Sequence, residues 1–150
     1  MLSRRTVGTG KVPKSKNMII GIGIDIIDID RVKRIADEYG DDMITRIFTE
    51  DEIEYCKSKA NPEINFAGRF AAKEAFLKAL GSGLRSGINW SDIEILRDEF
   101  GKPVLFLSGT AKKHTEKLRV VGAHLSISHT AEYAVAVVVL EGYQPPRKTQ

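Results

Sequence analysis

The alternation of hydrophobic and small residues near the start of the patterned region predicts a β-strand. Isoleucines occupy every second position over residues 20–24 and alternate with Gly21 and Gly23. Because successive residues of a strand point to opposite faces, one face should be buried, and another backbone should closely approach the other. We expect this strand to cover residues 18–25 and to end at Asp25, whose carboxylate would project beyond the sheet edge.

The next three segments carry helix and turn signals. Asp28 or Asp30 can cap a helix that continues to about Tyr39. Residues 44–48 are expected to form a short turn. Residues 49–52 read Thr-Glu-Asp-Glu, which is the capping-box pattern and predicts the start of another helix.

The longest predicted helix covers residues 66–80 and should be buried, since apolar or small residues point in nearly every direction around it. Pro62 favours a helix start, and Gly81 favours a left-handed stop. Glu74 is the exception in this apolar setting, because a carboxylate there is costly unless something pairs with it. It either bonds Lys78 one turn later, for a few tenths of a kcal/mol, or belongs to a metal or phosphate site.

The second half of the chain predicts four strands and one helix. Two strands at residues 90–96 and 104–107 should form a hairpin, followed by a helix over 108–118. Strands at 124–129 and 133–140 complete the pattern, and the nearly continuous apolar run of the last places it centrally in its sheet. The predicted fold class is α+β, with an antiparallel sheet packed against helices in one domain.

Charge along the chain separates a basic tail from a weakly acidic domain. The net charge is +3, yet residues 1–17 alone contribute five positive charges and no acid, so the remainder carries −2. We expect a disordered basic extension over residues 1–17, a folded domain over 18–142 that opens at its own methionine, and a flexible tail over 143–150. An acidic domain is a poor nucleic-acid-binding surface, so no nucleic-acid partner is expected.

Cysteine content and hydropathy narrow the class of protein further. The only cysteine, Cys56, excludes an intramolecular disulfide framework and a cysteine-rich metal site. No apolar run approaches the roughly 18 residues of a membrane span, and the N-terminus lacks the apolar core of a signal peptide. A cytoplasmic protein without a membrane partner is expected.

Two carboxylates are the candidate metal ligands. Asp25 and Glu74 together suit Mg²⁺, which takes oxygen ligands and often only one or two protein carboxylates. The alternative for Asp25 is a helix-capping role. Lys78 and the small, flexible segment Gly81-Ser82-Gly83 lie close to Glu74 in sequence, and they suit the approach of a diphosphate.

Two further residues are candidates for a binding pocket. Lys102 lies in a Gly-Lys-Pro loop that could present a cation. His129 follows a predicted strand, and it is either a histidine at the edge of the core or one that faces a ligand.

Several segments in the same order resemble the holo-acyl-carrier-protein synthases, a short single-domain group of 4′-phosphopantetheinyl transferases. The most specific is Ala-Ala-Lys-Glu-Ala at 71–75, within a longer match. The matching segments are 21–26, 46–52, 66–76, 93–95, 101–103, 126–130 and 133–134. Together they cover about residues 18–141.

The resemblance implies a fold and a reaction. It implies the 4′-phosphopantetheinyl transferase fold, with Mg²⁺ as cofactor and coenzyme A as substrate. The family moves 4′-phosphopantetheine from coenzyme A onto a serine of apo acyl carrier protein, releases 3′,5′-ADP, and so serves fatty acid biosynthesis. It also implies a homotrimer with active sites between neighbouring subunits.

The resemblance also implies roles for individual residues. Asp25 and Glu74 would bind Mg²⁺, and Lys78 would face the phosphates. The segments that would line the coenzyme A pocket contribute Lys102, Pro103, His129 and Thr130. The proton acceptor for the serine is either Glu74 or a metal-bound water held by Asp25. A binder of coenzyme A without catalysis is the alternative, but it would not need both carboxylates.

A basic face on the first predicted helix is the candidate docking site for the carrier protein. Arg31 and Arg34 are three residues apart and therefore share a face. They either pair locally with Asp30, Asp37 and Glu38, or meet an acidic helix of the carrier protein, as the resemblance implies.

Overall fold

The computed structural model describes residues 17–143 and contains five α-helices and five strands over that range. Two 3₁₀ turns, Leu84–Ser86 and Trp90–Asp92, lie in the middle of the chain. The elements in chain order are β1 (Met18–Asp28), α1 (Ile29–Tyr39), α2 (Asp41–Ile47), α3 (Glu50–Lys57), α4 (Pro62–Leu80), β2 (Ile93–Arg97), β3 (Pro103–Leu107), α5 (Gly109–Lys117), β4 (Val120–His129) and β5 (Tyr133–Gly142).

The strands form two antiparallel sheets. The larger has the order β1-β5-β4, and the smaller is the β2-β3 hairpin. The predicted α+β class is confirmed, and β5 occupies the central position that its apolar run predicted. Alternate residues of β5 from Ala134 to Leu140 are buried against the helices.

Helix α4 forms the core on one face of the larger sheet. Ala71, Ala72 and Ala75 are fully buried, as expected for a helix surrounded by protein on most sides. Its limits follow the sequence signals: Pro62 lies in the first turn, and Gly81 adopts the left-handed conformation at the C-cap.

The glycine face of β1 is the side that packs on α4. A β-carbon at Gly21 would collide with the Ala79 carbonyl oxygen, and one at Gly23 would collide with the Ala75 carbonyl oxygen. The close backbone approach predicted for this face is therefore present.

The isoleucine face of β1 is exposed within the chain, so the prediction that this face is buried is wrong for one chain. Ile22, Ile24 and Ile26 are 61%, 58% and 63% exposed. One helix can cover only one face of the strand. Helix α4 packs on the glycine face, because only the absence of side chains lets the two backbones approach this closely.

Three local predictions also need correction. Strand β1 continues to Asp28, so Asp25 lies within the strand, because the β-branched Ile26 continues the pairing with β5. Helix α2 replaces the expected turn at 44–48. Residues Trp90–Asp92 form a 3₁₀ turn, and the strand predicted there begins at Ile93.

The helix caps largely follow the sequence. Of the two predicted caps, Asp28 caps α1 by accepting a hydrogen bond from the Arg31 amide at 3.1 Å. Thr49 and Glu52 form the predicted capping box at the start of α3.

A buried ion pair joins α3 to α4. Lys73 Nζ lies 2.7 Å from Glu52 Oε2, and both side chains are fully buried. Lys73 also donates to the carbonyls of Ile47 and Trp90, while Glu52 Oε1 accepts from the Ile95 amide. Burial lowers the pKa of Lys73, although the charge of Glu52 acts in the opposite direction. The pair fixes α4 against the loop that carries Trp90.

None of the helices within residues 17–143 combines the length and hydropathy needed to cross a membrane.

Candidate active site

Asp25 and Lys78 form an ion pair between β1 and α4. Lys78 Nζ lies 2.9 Å from Asp25 Oδ1 and donates a second bond, at 3.0 Å, to the carbonyl oxygen of Ile24. The Asp25 side chain is 13% exposed, and the Lys78 side chain is 54% exposed. The alternative considered from sequence was a local salt bridge between Lys78 and Glu74. No such salt bridge is present within residues 17–143, where Lys78 pairs with Asp25 instead.

The second carboxylate oxygen of Asp25 is buried and has no hydrogen-bond partner among the described residues. An unsatisfied carboxylate oxygen is unfavourable unless a ligand binds it. Because the atom is an oxygen with a formal negative charge, it fits the donor set of a hard divalent cation.

Glu74 lies one turn before Lys78 on α4 and is half-buried. Burial raises the pKa of Glu74, the negative charge of Asp25 raises it further, and the positive charge of Lys78 lowers it. The two carboxylates are therefore close enough to interact. No group of three or more candidate His, Cys, Asp or Glu ligands occurs between residues 17 and 143, and two carboxylates suffice for Mg²⁺.

A pocket of about 550 Å³ opens beside these groups. Glu74 and Lys78 line it, and so do Gly81 and Gly83 of the following loop. Both glycines have positive φ, at 78° and 59°, which is strained for other residues. These four predicted site residues therefore line one pocket. Asp25 lies next to that pocket through its ion pair with Lys78.

The pocket also includes Trp90 and Arg85, which the sequence did not single out, and Ser82 of the predicted flexible segment. Trp90 lines it and packs against Phe70, with the ring centroids 5.3 Å apart and the ring planes tilted by 48°. Arg85 supplies an exposed positive charge, and Ser82 has a buried hydroxyl without a partner among the described residues. Arg85 follows the Gly81-Ser82-Gly83 segment closely enough to be suspected from sequence. No sequence spacing points to Trp90, whose carbonyl oxygen accepts a hydrogen bond from the distant Lys73.

The remaining predicted pocket residues lie elsewhere within one chain. Lys102 and Pro103 lie at the β2-β3 hairpin, and His129 ends β4 two strands away from β1. Thr130 follows in the turn and accepts hydrogen bonds from the amides of Glu132 and Tyr133. None of these four predicted residues lines the pocket that contains Glu74.

Helix α1 presents a charged face beside an apolar groove. Arg31 and Arg34 are exposed, and neither forms an ion pair with another residue of the range 17–143. The local pairing considered for them is therefore not observed. A groove of about 270 Å³ lies between α1, α2 and α4, with Ile35, Met43 and Phe70 among its lining residues.

The features above define an α+β domain with a two-carboxylate site next to a glycine-edged pocket, and comparison with known proteins gives its family. The model of the 4′-phosphopantetheinyl transferase superfamily matches residues 21–138. Since this match spans most of the sequence, the chain belongs to the 4′-phosphopantetheinyl transferase superfamily.

Individual relatives agree with that membership. The holo-[acyl-carrier-protein] synthase of Koribacter versatilis is 48% identical over 124 residues, which are 83% of this chain and 99% of the relative. That of Geobacter sulfurreducens is 50% identical over 124 residues, covering 83% and 98%. The resemblance inferred from the motifs is confirmed, as is the assignment of the chain to the transferases.

A solved structure gives the same result. The holo-(acyl-carrier-protein) synthase of Bacillus anthracis, solved in complex with CoA (3′,5′-ADP), superposes with a TM-score of 0.69 at 42% identity. The match covers 83% of this chain and 98% of that one.

Proposed function

We propose that the chain transfers 4′-phosphopantetheine from coenzyme A to a serine of an apo acyl carrier protein and releases 3′,5′-ADP. The observation that carries the proposal is that Glu74 and Lys78 line one glycine-edged pocket while Lys78 is ion-paired with Asp25. Relatives that share most of this chain are named for the same reaction.

Asp25 and Glu74 are the residues that would hold Mg²⁺. The fit rests on the buried Asp25 Oδ2, which has no partner among the described residues, and on the second carboxylate nearby. When bound, the ion supplies charge neutralisation to the diphosphate of coenzyme A.

The protein's own groups account for the rest of the chemistry. The serine Oγ forms a bond to the β-phosphorus, and the bond from that phosphorus to the oxygen of the leaving 3′,5′-ADP breaks. Such transfers depend mainly on positioning and charge stabilisation. Lys78 offsets charge on the leaving group. Glu74 takes the serine proton in this proposal, because it is the carboxylate that lines the pocket.

The pocket for coenzyme A is completed by a neighbouring subunit in this proposal. Gly81 and Gly83 admit the diphosphate, whereas His129 and Thr130, like Lys102 and Pro103, lie outside the pocket of their own chain. A second copy of the chain would bring these four residues to the pocket edge. The proposal therefore includes a homotrimer with His129 of one subunit across the interface from Asp25 of the next.

The outer face of the larger sheet is the surface proposed for that assembly. Ile22, Ile24 and Ile26 lie in register with Val139, Val137 and Val135 of β5, and the isoleucines are exposed in one chain. A contiguous apolar face of this kind is typical of a protein–protein interface.

The carrier protein is proposed to dock on α1. Arg31 and Arg34 carry positive charge that no other described residue pairs with, and they suit an acidic helix. The apolar groove beside Ile35 and Phe70 extends from this helix to α4, which carries Glu74. The enzyme would act in the cytoplasm, where it activates the carrier protein for fatty acid biosynthesis.

One incubation tests the proposal. The protein is mixed with coenzyme A, Mg²⁺ and apo acyl carrier protein, and the carrier is weighed by mass spectrometry. We expect a mass gain equal to one phosphopantetheine group, on the carrier serine, and none with Asp25→Ala. Binding of coenzyme A without any transfer would instead identify a non-catalytic binder.

A further inference from the structure

Lys78 lies between two sets of partners, and two of the three N–H groups of its ammonium are already used on β1. Its ammonium pairs with Asp25 Oδ1 and the Ile24 carbonyl oxygen, yet the same side chain lines the pocket proposed for the diphosphate. An ammonium held by two acceptors on β1 has less freedom to contact a phosphate. Release of the ammonium from Asp25 and Ile24 would leave all of its N–H groups free for a phosphate.

We propose that Lys78 is the resident counter-ion of the Asp25–Glu74 carboxylate pair, and that a divalent cation displaces it and so frees it for the phosphates of coenzyme A. The proposal rests on the function proposed above, because it assigns Lys78 a part in loading that same site. Lys78 thereby becomes a residue that couples metal binding to substrate binding.

The carboxylates around Lys78 favour a cation at this position. Asp25 is nearly buried, and Glu74 adds a second negative charge on the facing helix. Two carboxylates in a partly desolvated site repel each other, and the repulsion is strongest where water is excluded. Lys78 is the only cation that forms a salt bridge with either carboxylate among the described residues.

The exposure of the two partners shows which of them can move. Lys78 is 54% exposed, whereas Asp25 is 13% exposed. A lysine has a flexible four-carbon stem and a compact charge, so its end can swing from β1 into the pocket without a change in the backbone. Asp25 is held within β1 and stays in place.

A divalent cation at the free Asp25 Oδ2 and the ammonium at Asp25 Oδ1 would share one carboxylate. Each adds positive charge to the site, so the presence of one weakens the binding of the other. Removal of the Lys78 charge should therefore strengthen metal binding while it destabilises the metal-free protein. A residue that merely orients Asp25 would have the opposite effect on metal affinity.

The test is Lys78→Met, which keeps the length of the stem and removes the charge. Mg²⁺ and Mn²⁺ binding is measured by calorimetry without coenzyme A or carrier protein, and thermal unfolding is measured in EDTA and at saturating metal. We expect metal affinity about 5- to 10-fold higher than in the wild type, the size of a typical coupling between two binding events. In EDTA, Lys78→Met should unfold at a lower temperature than the wild type. At saturating metal, most of this difference in unfolding temperature should disappear.

Two variants serve as controls. Lys113→Met removes one exposed lysine from α5 and should leave metal affinity unchanged. Lys78→Arg keeps the charge and should bind metal close to the wild-type affinity.

Weaker or unchanged metal binding in Lys78→Met, or a wild type that binds neither metal, would overturn the inference. A protein that fails to modify the carrier but shows tighter metal binding in Lys78→Met would contradict the proposed function alone. A protein that modifies the carrier, with no gain in metal affinity in the variant, would contradict the inference alone.

Discussion

Gly23 of β1 lies directly against the Ala75 carbonyl oxygen of α4, with no room for a β-carbon between them. This contact decides how close the strand and the helix can come. Asp25 follows Gly23 on the same face of β1, and Lys78 follows Ala75 by three residues on α4. The approach of the two backbones thus places the carboxylate within reach of the lysine.

Gly23→Ala should destabilise the domain by about 3 kcal/mol, the upper part of the usual range for overpacking, because backbone atoms on α4 would have to move. Urea unfolding monitored by circular dichroism measures the change. Gly122→Ala is the matched control: its added carbon would meet Glu141 Oε2 at 3.4 Å, an ordinary contact with a flexible side chain. Equal stability of the two variants would show that the β1-α4 approach is adjustable.

Glu74→Gln should lower the transfer rate by at least about 100-fold, since it removes a proton acceptor. The fold should be retained and, at neutral pH, be at least as stable as the wild type. The pKa of Glu74 is raised by burial, so ionisation of this group costs stability as the pH rises through that pKa. The variant lacks this cost.

The measurement is thermal unfolding of wild type and Glu74→Gln between pH 4 and neutrality, which starts near the ordinary carboxyl pKa of about 4.3. It gives the sign of the stability difference between the two proteins at each pH. The difference should shrink toward acid pH, where the wild-type carboxyl is protonated. Undiminished transfer by Glu74→Gln would remove Glu74 from the reaction.

Lys73→Met should cost about 3 to 5 kcal/mol, because it leaves the buried Glu52 charge without its partner. The double variant with Glu52→Gln should be more stable than Lys73→Met alone, since it leaves no unpaired charge. A double-mutant cycle by chemical unfolding measures the coupling. Additive effects of the two changes would show that the 2.7 Å ion pair contributes no net interaction.

Arg31→Glu should raise the KM for the carrier protein strongly and leave coenzyme A binding nearly unchanged. Exposed charges mainly steer association and are screened by salt, so the variant should also show a flatter dependence of kcat/KM on ionic strength. Lys113→Glu makes the same change of charge on α5 and should behave as the wild type. Loss of coenzyme A affinity in Arg31→Glu would place α1 in the nucleotide pocket instead.

Ile24→Asp should convert the proposed trimer to a monomer, because it puts a charge at the centre of the exposed isoleucine row. Multi-angle light scattering at micromolar concentration gives the mass of both proteins. Lys112→Asp on α5 is the control, because Lys112 is exposed. An isoleucine such as Ile53 would not serve, since it packs against the interior. A wild type that is itself monomeric would contradict the assembly.

Signals within a few residues of one another predicted the local structure well. The Thr49–Glu52 capping box and the Gly81 stop depend only on nearby backbone geometry, and both are present. The turn predicted at residues 44–48 is wrong because the short helix α2 is stabilised by tertiary packing. Ile44 and Ile47 pack against Phe48 and Phe66. Propensity alone cannot reveal such support.

Contacts between distant residues were harder to predict. The pairing of Lys78 with Asp25 spans 53 positions, and the local partner Glu74 was the natural expectation. The exposure of Ile22 and Ile24 could not be read from their alternation with glycine, because the pattern separates two faces without saying which one the helix covers. The chemistry of the two carboxylates and the family resemblance both paired Asp25 with Glu74, although their spacing in the sequence did not.

If the proposed trimer forms, the strand that carries Asp25 depends on neighbouring subunits, because its isoleucines face outward from its own chain. In the proposed assembly, neighbouring subunits cover β1 and complete the pocket, so dilution would remove both supports together. Specific activity should then fall with enzyme concentration below the dissociation constant of the trimer, and a concentrated stock diluted into assay buffer should lose rate over time. The amount of enzyme in the cell would set the activity of each molecule as well as their number.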